Sequence, residues 1–350
     1  MKYNQFYSMT VLLLLGLSFT VIMSFTGCAG KVEAQTLVEN PVAEDPIVPG
    51  QTGSSRVYFT SDISPAGMMA VYNALERKPE GTTIASGKVA VKLSTGEPPN
   101  SNYLRPELVK DLVQSVNGTI VESNTAYGGR RASTALHKQV AKDHGFTAIA
   151  NVDILDEDGS ISLPVRGGAR LTENFVGAHF KNYDYYIVLS HFKGHAMAGL
   201  GGAIKNISIG IGSAEGKVWI HTGGNRKTGN IFWNDQNAFL DAMAEAGKSV
   251  VDSLKGDSND RSNILYINVM NRLSVDCDCN GSPAEPDMHD IGILASLDPV
   301  ALDKACVDLV YAAPDGETLI ERMESRNGIR TINHGAEIGL GSLRYELVKL

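Results

Sequence analysis

Apolar and polar positions along the chain fall into two alternating patterns, one with the period of a strand and one with the period of a helix. Val57-Tyr-Phe59 and Val89-Ala-Val-Lys-Leu93 are short β-branched or aromatic runs that predict strands. A helix is expected from about Arg105. Pro106 suits its first turn, and Leu108, Val109, Leu112, Val113 and Val116 form a stripe. Thr119-Ile-Val-Glu122 reads as the next strand, and Ser133 to His144 as a helix closed by Gly145. Tyr185-Tyr-Ile-Val-Leu189 has the unbroken apolar character of a strand buried on both faces. Asp235 to Leu254 predicts a longer helix with Phe239, Met243, Ala246, Val250 and Leu254 on one side. Ile264 to Val269 and Ile291 to Ala295 are further strands, and Asp298-Pro299 opens a helix through Val310 as N-cap and first helical residue. Strands alternating with helices over this length predict an α/β fold with a mainly parallel sheet and flanking helices, with two lobes as a variant.

The N-terminus departs from this pattern. A cationic start at Lys2 precedes an apolar run from Met9 to Phe25, which ends at Thr26-Gly27-Cys28. That order describes a secretory signal over 1–27 rather than a spanning helix. Cys28, following the small residue, is the expected lipidation site, and several acyl chains on one cysteine hold a protein durably to a membrane. Residues 28–55 are rich in Pro, Glu, Gly, Val and Thr without a sustained period, and read as a flexible stalk. The expectation is an exported, lipid-anchored chain facing the periplasm or the cell surface, with one α/β domain over 56–350. Oligomeric state is not legible.

The formal charge of −8 and the absence of a basic stripe argue against nucleic acid as a partner. Four cysteines are too few for a disulfide scaffold. With Cys28 set aside, Cys277, Cys279 and Cys306 remain, an odd number that leaves at least one thiol free or bound. Cys306 sits on an apolar helix face and reads as core.

The chemistry concentrates after the buried strand, from Ser190 to Gly212. His191, Lys193, His195, Gly199, Gly201, Gly202, Lys205 and Asn206 all lie there. In parallel α/β sheets, ligands bind beyond the carboxyl ends of strands. Glycines admit close backbone approach and a lysine adds fixed charge, so a small anionic molecule is a reasonable guest. A tight turn with surface lysines is the plainer alternative. His191 and His195, with His221 further on, are candidate acid/base or metal-binding groups. Asp276-Cys277-Asp278-Cys279 is the second cluster. In an extended chain its two thiols share a side and could hold a soft metal such as zinc or part of an iron–sulfur centre. The flanking aspartates would raise the thiol pKa. A local disulfide and an inert loop are the alternatives.

At these motifs the chain resembles the DUF362 family, in its uncharacterised iron–sulfur-centre branch. Asn124 to Arg130, His191 to Asn206, Lys217 to His221, Cys277-Asp-Cys279 and Asp290 to Asp303 carry the likeness. Relatives of that branch place a cysteine-rich ferredoxin segment soon after the position of His221. Thr222 to Trp233 occupies that place here without a cysteine, so no ferredoxin-type cluster motif is present. The run His195, Gly199, Gly202, Lys205, His221 is also similar to lactate racemase-like enzymes. That resemblance implies His195 as acid/base, Lys205 as the attachment point of a nickel-bearing nucleotide and His221 as a metal ligand. Gly129-Arg130-Arg131 lacks the histidine those enzymes carry before an arginine. Together these readings imply a metal- or cofactor-dependent redox or isomerase enzyme. Catalysis would fall to His191, His195 and Lys205. Cofactor binding would fall to Lys193, Gly199, Gly201, Gly202, Lys205 and Asn206. Nickel, iron or zinc would sit at His221, Cys277 and Cys279. The alternative is a membrane-tethered protein that binds a small anion without turnover.

Overall fold

The computed structural model describes residues 54–75, 88–231, 235–255 and 262–350. The expected signal segment, Cys28 and the stalk up to residue 53 lie outside the described residues. Strand β1 (Ser55–Thr60) begins at the last position assigned to the stalk.

The remaining strands are β2 (Val89–Lys92), β3 (Thr119–Glu122), β4 (Val152–Ile154), β5 (Ser160–Pro164), β6 (Glu173–Gly177), β7 (Tyr185–His191), β8 (Lys193–His195), β9 (Gly199–Gly201), β10 (Ile264–Met270), β11 (Gly292–Ser296) and β12 (Tyr345–Lys349). Eight of them form one sheet in the order β12-β1-β11-β10-β7-β2-β3-β4. Only β11 runs against its neighbours; β12 pairs with β1, and β10, β7, β2, β3 and β4 pair in turn, by parallel ladders. The sheet is therefore mainly parallel, as the alternation of elements predicts. β5 pairs with β6 and β8 with β9 as separate antiparallel hairpins.

The helices are α1 (Pro65–Ala74), α2 (Pro106–Ser115), α3 (Thr134–Asp143), α4 (Ala203–Lys205), α5 (Ala214–His221), α6 (Gln236–Ser253), α7 (Pro299–Ala312), α8 (Glu317–Ser325) and α9 (Ile329–Glu337). Local chemistry sets their ends. Asp298 accepts from the N–H groups of Val300 and Ala301, and Pro299 fills the first turn of α7. Asp235 caps α6 through Ala238 N–H at 2.9 Å. Gly145, at φ +87°, follows α3 as expected.

Two apolar layers sandwich the sheet. Along β7, Tyr186 and Val188 join a core with Val300, Leu302 and Ile332 of α7 and α9. Ile187 and Leu189 join the other, with Met68 and Val71 of α1 and Val109 and Leu112 of α2. Successive strand residues face opposite sides, so a strand covered on both must be apolar throughout. The described residues form one compact unit, without division into lobes. Among the described residues, no helix is long and apolar enough to cross a membrane.

After β2 the chain moves outward to β3 and β4, then returns to β7 on the other side of β2. This reversal opens a crevice at the carboxyl ends of β2 and β7.

Candidate functional site

The crevice is floored by a buried charge network. Lys92, the last residue of β2, places Nζ 3.0 Å from Glu122 Oε2 at the end of β3. Arg131 donates to Glu122 Oε1 and to Glu97 Oε2, both at 3.1 Å. His137 stands 3.7 Å from the same Glu122 carboxylate. Burial works against the charged form of Glu122, but Lys92, His137 and Arg131 overcome it and hold the carboxyl well below its usual range.

A second network fixes the wall. Lys193 donates to Asp278 Oδ1 at 2.7 Å and to the Asn102 carbonyl at 2.5 Å. His191 is bonded through Nδ1 to Asp278 Oδ2 and through Nε2 to the Asn271 carbonyl. Burial opposes ionisation of Asp278, yet His191 and Lys193 bring its carboxyl down to about 2. Both ring nitrogens of His191 and the Lys193 ammonium are thus engaged within the protein. The expected roles for His191 in proton transfer and Lys193 in ligand binding are corrected: these two side chains hold Asp278, and with it the loop between the cysteines.

The glycine turn also differs from expectation. The N–H groups of Ala203 and Ile204, just beyond it, donate to the Asp303 carboxylate at 2.7 and 2.9 Å. The donors that would cradle an anion are already taken by the protein's own carboxylate. Gly199, at φ +78°, packs against Gly328 and the Met323 carbonyl rather than lining the crevice. Gly201 and Gly202 do line it. Asn206 donates to the Leu189 carbonyl and Ser190 Oγ, tying α4 to the end of β7.

His195, Lys205 and His221 meet in this crevice. His195 Nδ1 accepts the backbone N–H groups of Met197 and Ala198 at 3.1 and 2.9 Å. These bonds assign the ring hydrogen to Nε2. Burial, reinforced by Lys205, holds its pKa well below the ordinary value, so the ring stays neutral. His221 has the opposite arrangement. Its Nδ1 donates to the Lys217 carbonyl at 2.6 Å, which leaves a lone pair on Nε2. Its ring stacks on Phe239 at 4.7 Å between centroids, and burial lowers its pKa to about 4.

The Lys205 amine has neither an ion pair nor a hydrogen bond among the described residues. Burial, with Lys92 and Arg131 adding to it, brings its amine down to about 8. Lys217 donates to the Gly212 carbonyl at 2.5 Å, and burial lowers its amine to about 7.

Cys277 and Cys279 line the same crevice as a disulfide. Ligand-capable atoms of His195, Cys277 and Cys279 lie within 4.8 Å of one another, a His/Cys group with the spacing of a metal site. The histidine in that group is His195, not the expected His221. Metal ligation by sulfur needs thiolates, which the disulfide form lacks, and His195 Nε2 carries a hydrogen rather than a lone pair. Cys306 is buried as expected and accepts from Asn268 at 3.4 Å.

Lys92, Glu122 and Arg131 are site residues to which the sequence reading gave no role, as it gave none to Lys217 despite its place in a matching segment. Charged residues ending the apolar runs Val89-Ala-Val and Thr119-Ile-Val were the available signal, because charge in a buried strand needs a partner.

No curated protein matches the chain. Among solved structures, the lactate racemase apoprotein from Thermoanaerobacterium thermosaccharolyticum is 16% identical with a TM-score of 0.39, over 61% of this chain and 50% of that one. A protein from Thermotoga maritima is 12% identical with a TM-score of 0.38, over 69% and 57%. The chain therefore spans half the length of the first and 57% of the second. The DUF362 profile, described as a domain of unknown function, matches residues 89–308, a span that holds Lys92, Glu122, His195, Lys205, His221 and both bridged cysteines. The chain belongs to the DUF362 family.

Proposed function

We propose that this chain is a metal- or cofactor-dependent enzyme of the redox or isomerase kind, acting on a small anionic molecule in the crevice. One observation carries the reading: His195 and His221 present opposite faces of imidazole chemistry around an amine without a partner. His195 offers a fixed N–H, suited to polarising a carbonyl or holding an oxyanion. Giving up that hydrogen from the neutral ring would leave an imidazolate, so His195 acts as a hydrogen-bond donor rather than the acid/base expected from sequence. His221 offers a lone pair that can take a proton or bind a metal, with the Lys217 carbonyl orienting the ring from behind. At pH 7 about a tenth of an amine with a pKa near 8 is neutral and nucleophilic. Among the described residues, Lys205 and Lys217 lack carboxylate ion pairs, which favours an anionic guest.

Lys205 and His221 fit the attachment and ligand roles that the likeness to lactate racemase-like enzymes implies, because each faces the crevice with its reactive atom unpaired. A nickel-bearing nucleotide held there would supply a hydride acceptor. Arg131, by contrast, is committed to Glu97 and Glu122 and offers nothing to such a group.

Export and lipid anchoring through Cys28 belong to the same proposal. The cationic start and apolar run support it, as does the Cys277–Cys279 bridge, since disulfides persist in oxidising compartments. Loss of membrane association in Cys28→Ser tests it.

The central test is intact-mass and elemental analysis of the full chain isolated anaerobically from its native host. Added mass on Lys205 with stoichiometric metal, both lost in Lys205→Ala, is expected. Unmodified Lys205 without metal would overturn the reading.

A further inference from the structure

We infer that the Cys277–Cys279 disulfide is redox-active and accepts an electron pair from a small dithiol entering the crevice, with Cys279 as the leaving sulfur. The inference is independent of any group on Lys205.

Position is the first argument. Both cysteines are partly exposed and line the crevice instead of stapling distant elements. A bridge between residues two apart closes a very short loop and constrains the unfolded chain least, so stability gives little reason for it. Surroundings are the second. His195 Nε2, which carries the ring hydrogen, lies 3.8 Å from Cys279 Sγ. A neutral donor fixed there stabilises the negative charge that develops on this sulfur as the bond breaks. The flanking carboxylates, expected to oppose a thiolate, are each matched by cations. Arg322 pairs with Asp276 at 3.0 Å, and Lys193 pairs with Asp278 at 2.7 Å, where His191 Nδ1 adds a hydrogen bond. The local field therefore no longer opposes the leaving thiolate as the bare sequence implies.

The exchange balances as follows. One thiolate of the dithiol attacks Cys277 Sγ, the Cys277–Cys279 bond breaks, and its electron pair settles on Cys279 Sγ beside the His195 N–H. The second thiolate of the dithiol then attacks its own sulfur in the mixed disulfide and releases Cys277. The dithiol is oxidised to a cyclic disulfide, and its two protons pass through water to the two cysteines.

The test is the rate of reduction of the full chain by dithiothreitol, followed by alkylation and mass spectrometry of the peptide bearing both cysteines. Reduction in His195→Phe should slow roughly tenfold, the loss of one hydrogen bond to a charged sulfur. An unchanged rate overturns the inference. A second measurement avoids dependence on that variant's folding. In Cys277→Ser, the lone Cys279 should alkylate with a pH midpoint below the ordinary thiol value of about 8.5. A midpoint at or above that value also overturns it.

Discussion

Asp303 accepts the backbone N–H of Ala203 at 2.7 Å across a hundred residues of sequence. The same carboxylate takes Ile204 N–H and Asn268 Nδ2. A glycine-rich turn running into a helix is a familiar place for a phosphate, but here α7 supplies the anion from inside the protein. Under the proposed function, an anionic guest is held instead by the amines of Lys205 and Lys217 and the His195 N–H.

Asp303→Ala should therefore destabilise the fold by about 3 kcal/mol, because three buried donors lose their acceptor at once. Urea unfolding measures this. A loss near zero would mean that water replaces the carboxylate without penalty.

Glu122→Gln should cost about 3–5 kcal/mol, since it leaves Lys92 and Arg131 as buried charges short of a partner. The fold favours the charged form of Glu122, so its contribution is complete above the ordinary carboxyl pKa of 4.5 and is lost as pH falls below it. Thermal unfolding across the acid range should show a flatter limb in the variant than in the wild type.

Lys205 should acylate with a midpoint near pH 8 rather than 10.5. Between those values the unfolded chain binds the proton that the folded chain has released, so this group makes stability rise with pH through that window. Lys205→Met should remove that share of the slope. Labelling with an acylating reagent across pH 6–11, read by mass spectrometry, gives the midpoint directly.

Gly194→Ala should loosen the loop that carries the disulfide. A Cβ at this position would meet the Val275 carbonyl oxygen at 2.3 Å and its carbon at 2.6 Å, both backbone atoms. Overpacking of this kind costs about 1–3 kcal/mol. Limited proteolysis should show new cutting near 274–280 before global unfolding.

Local grammar made much of the fold legible. The Asp298-Pro299 pair announced α7, and the apolar run at Tyr185 announced β7, because both signals lie within a few residues. Helix α5 was missed: its cap, Ser213 accepting from Gly216 N–H, is hidden among glycines that read as turn. Strand β12 was missed because its partner β1 lies nearly three hundred positions earlier. The candidate site was legible as a list of residues but not as a set of relationships. His195 and His221 look alike in sequence, and only the groups facing Nδ1 set them apart: two N–H donors in one case, a carbonyl in the other. The glycine turn suggested an anion cradle because Asp303 could not be seen from it. Whether Cys277 and Cys279 form a bridge depends on oxidation, which no residue pattern encodes.

The peptide between the two sulfurs is anchored from several sides. Glu97 N–H binds the Asp278 carbonyl at 2.8 Å, Asn280 N–H binds the Cys277 carbonyl at 3.0 Å, and Lys193 and His191 grip the Asp278 side chain. These bonds hold the segment in place on both sides of the bridge. Once the bond opens, the sulfurs stay neighbours at high effective concentration, so closure is as ready as opening. The pair is built to change its electron count while the surrounding backbone keeps its shape.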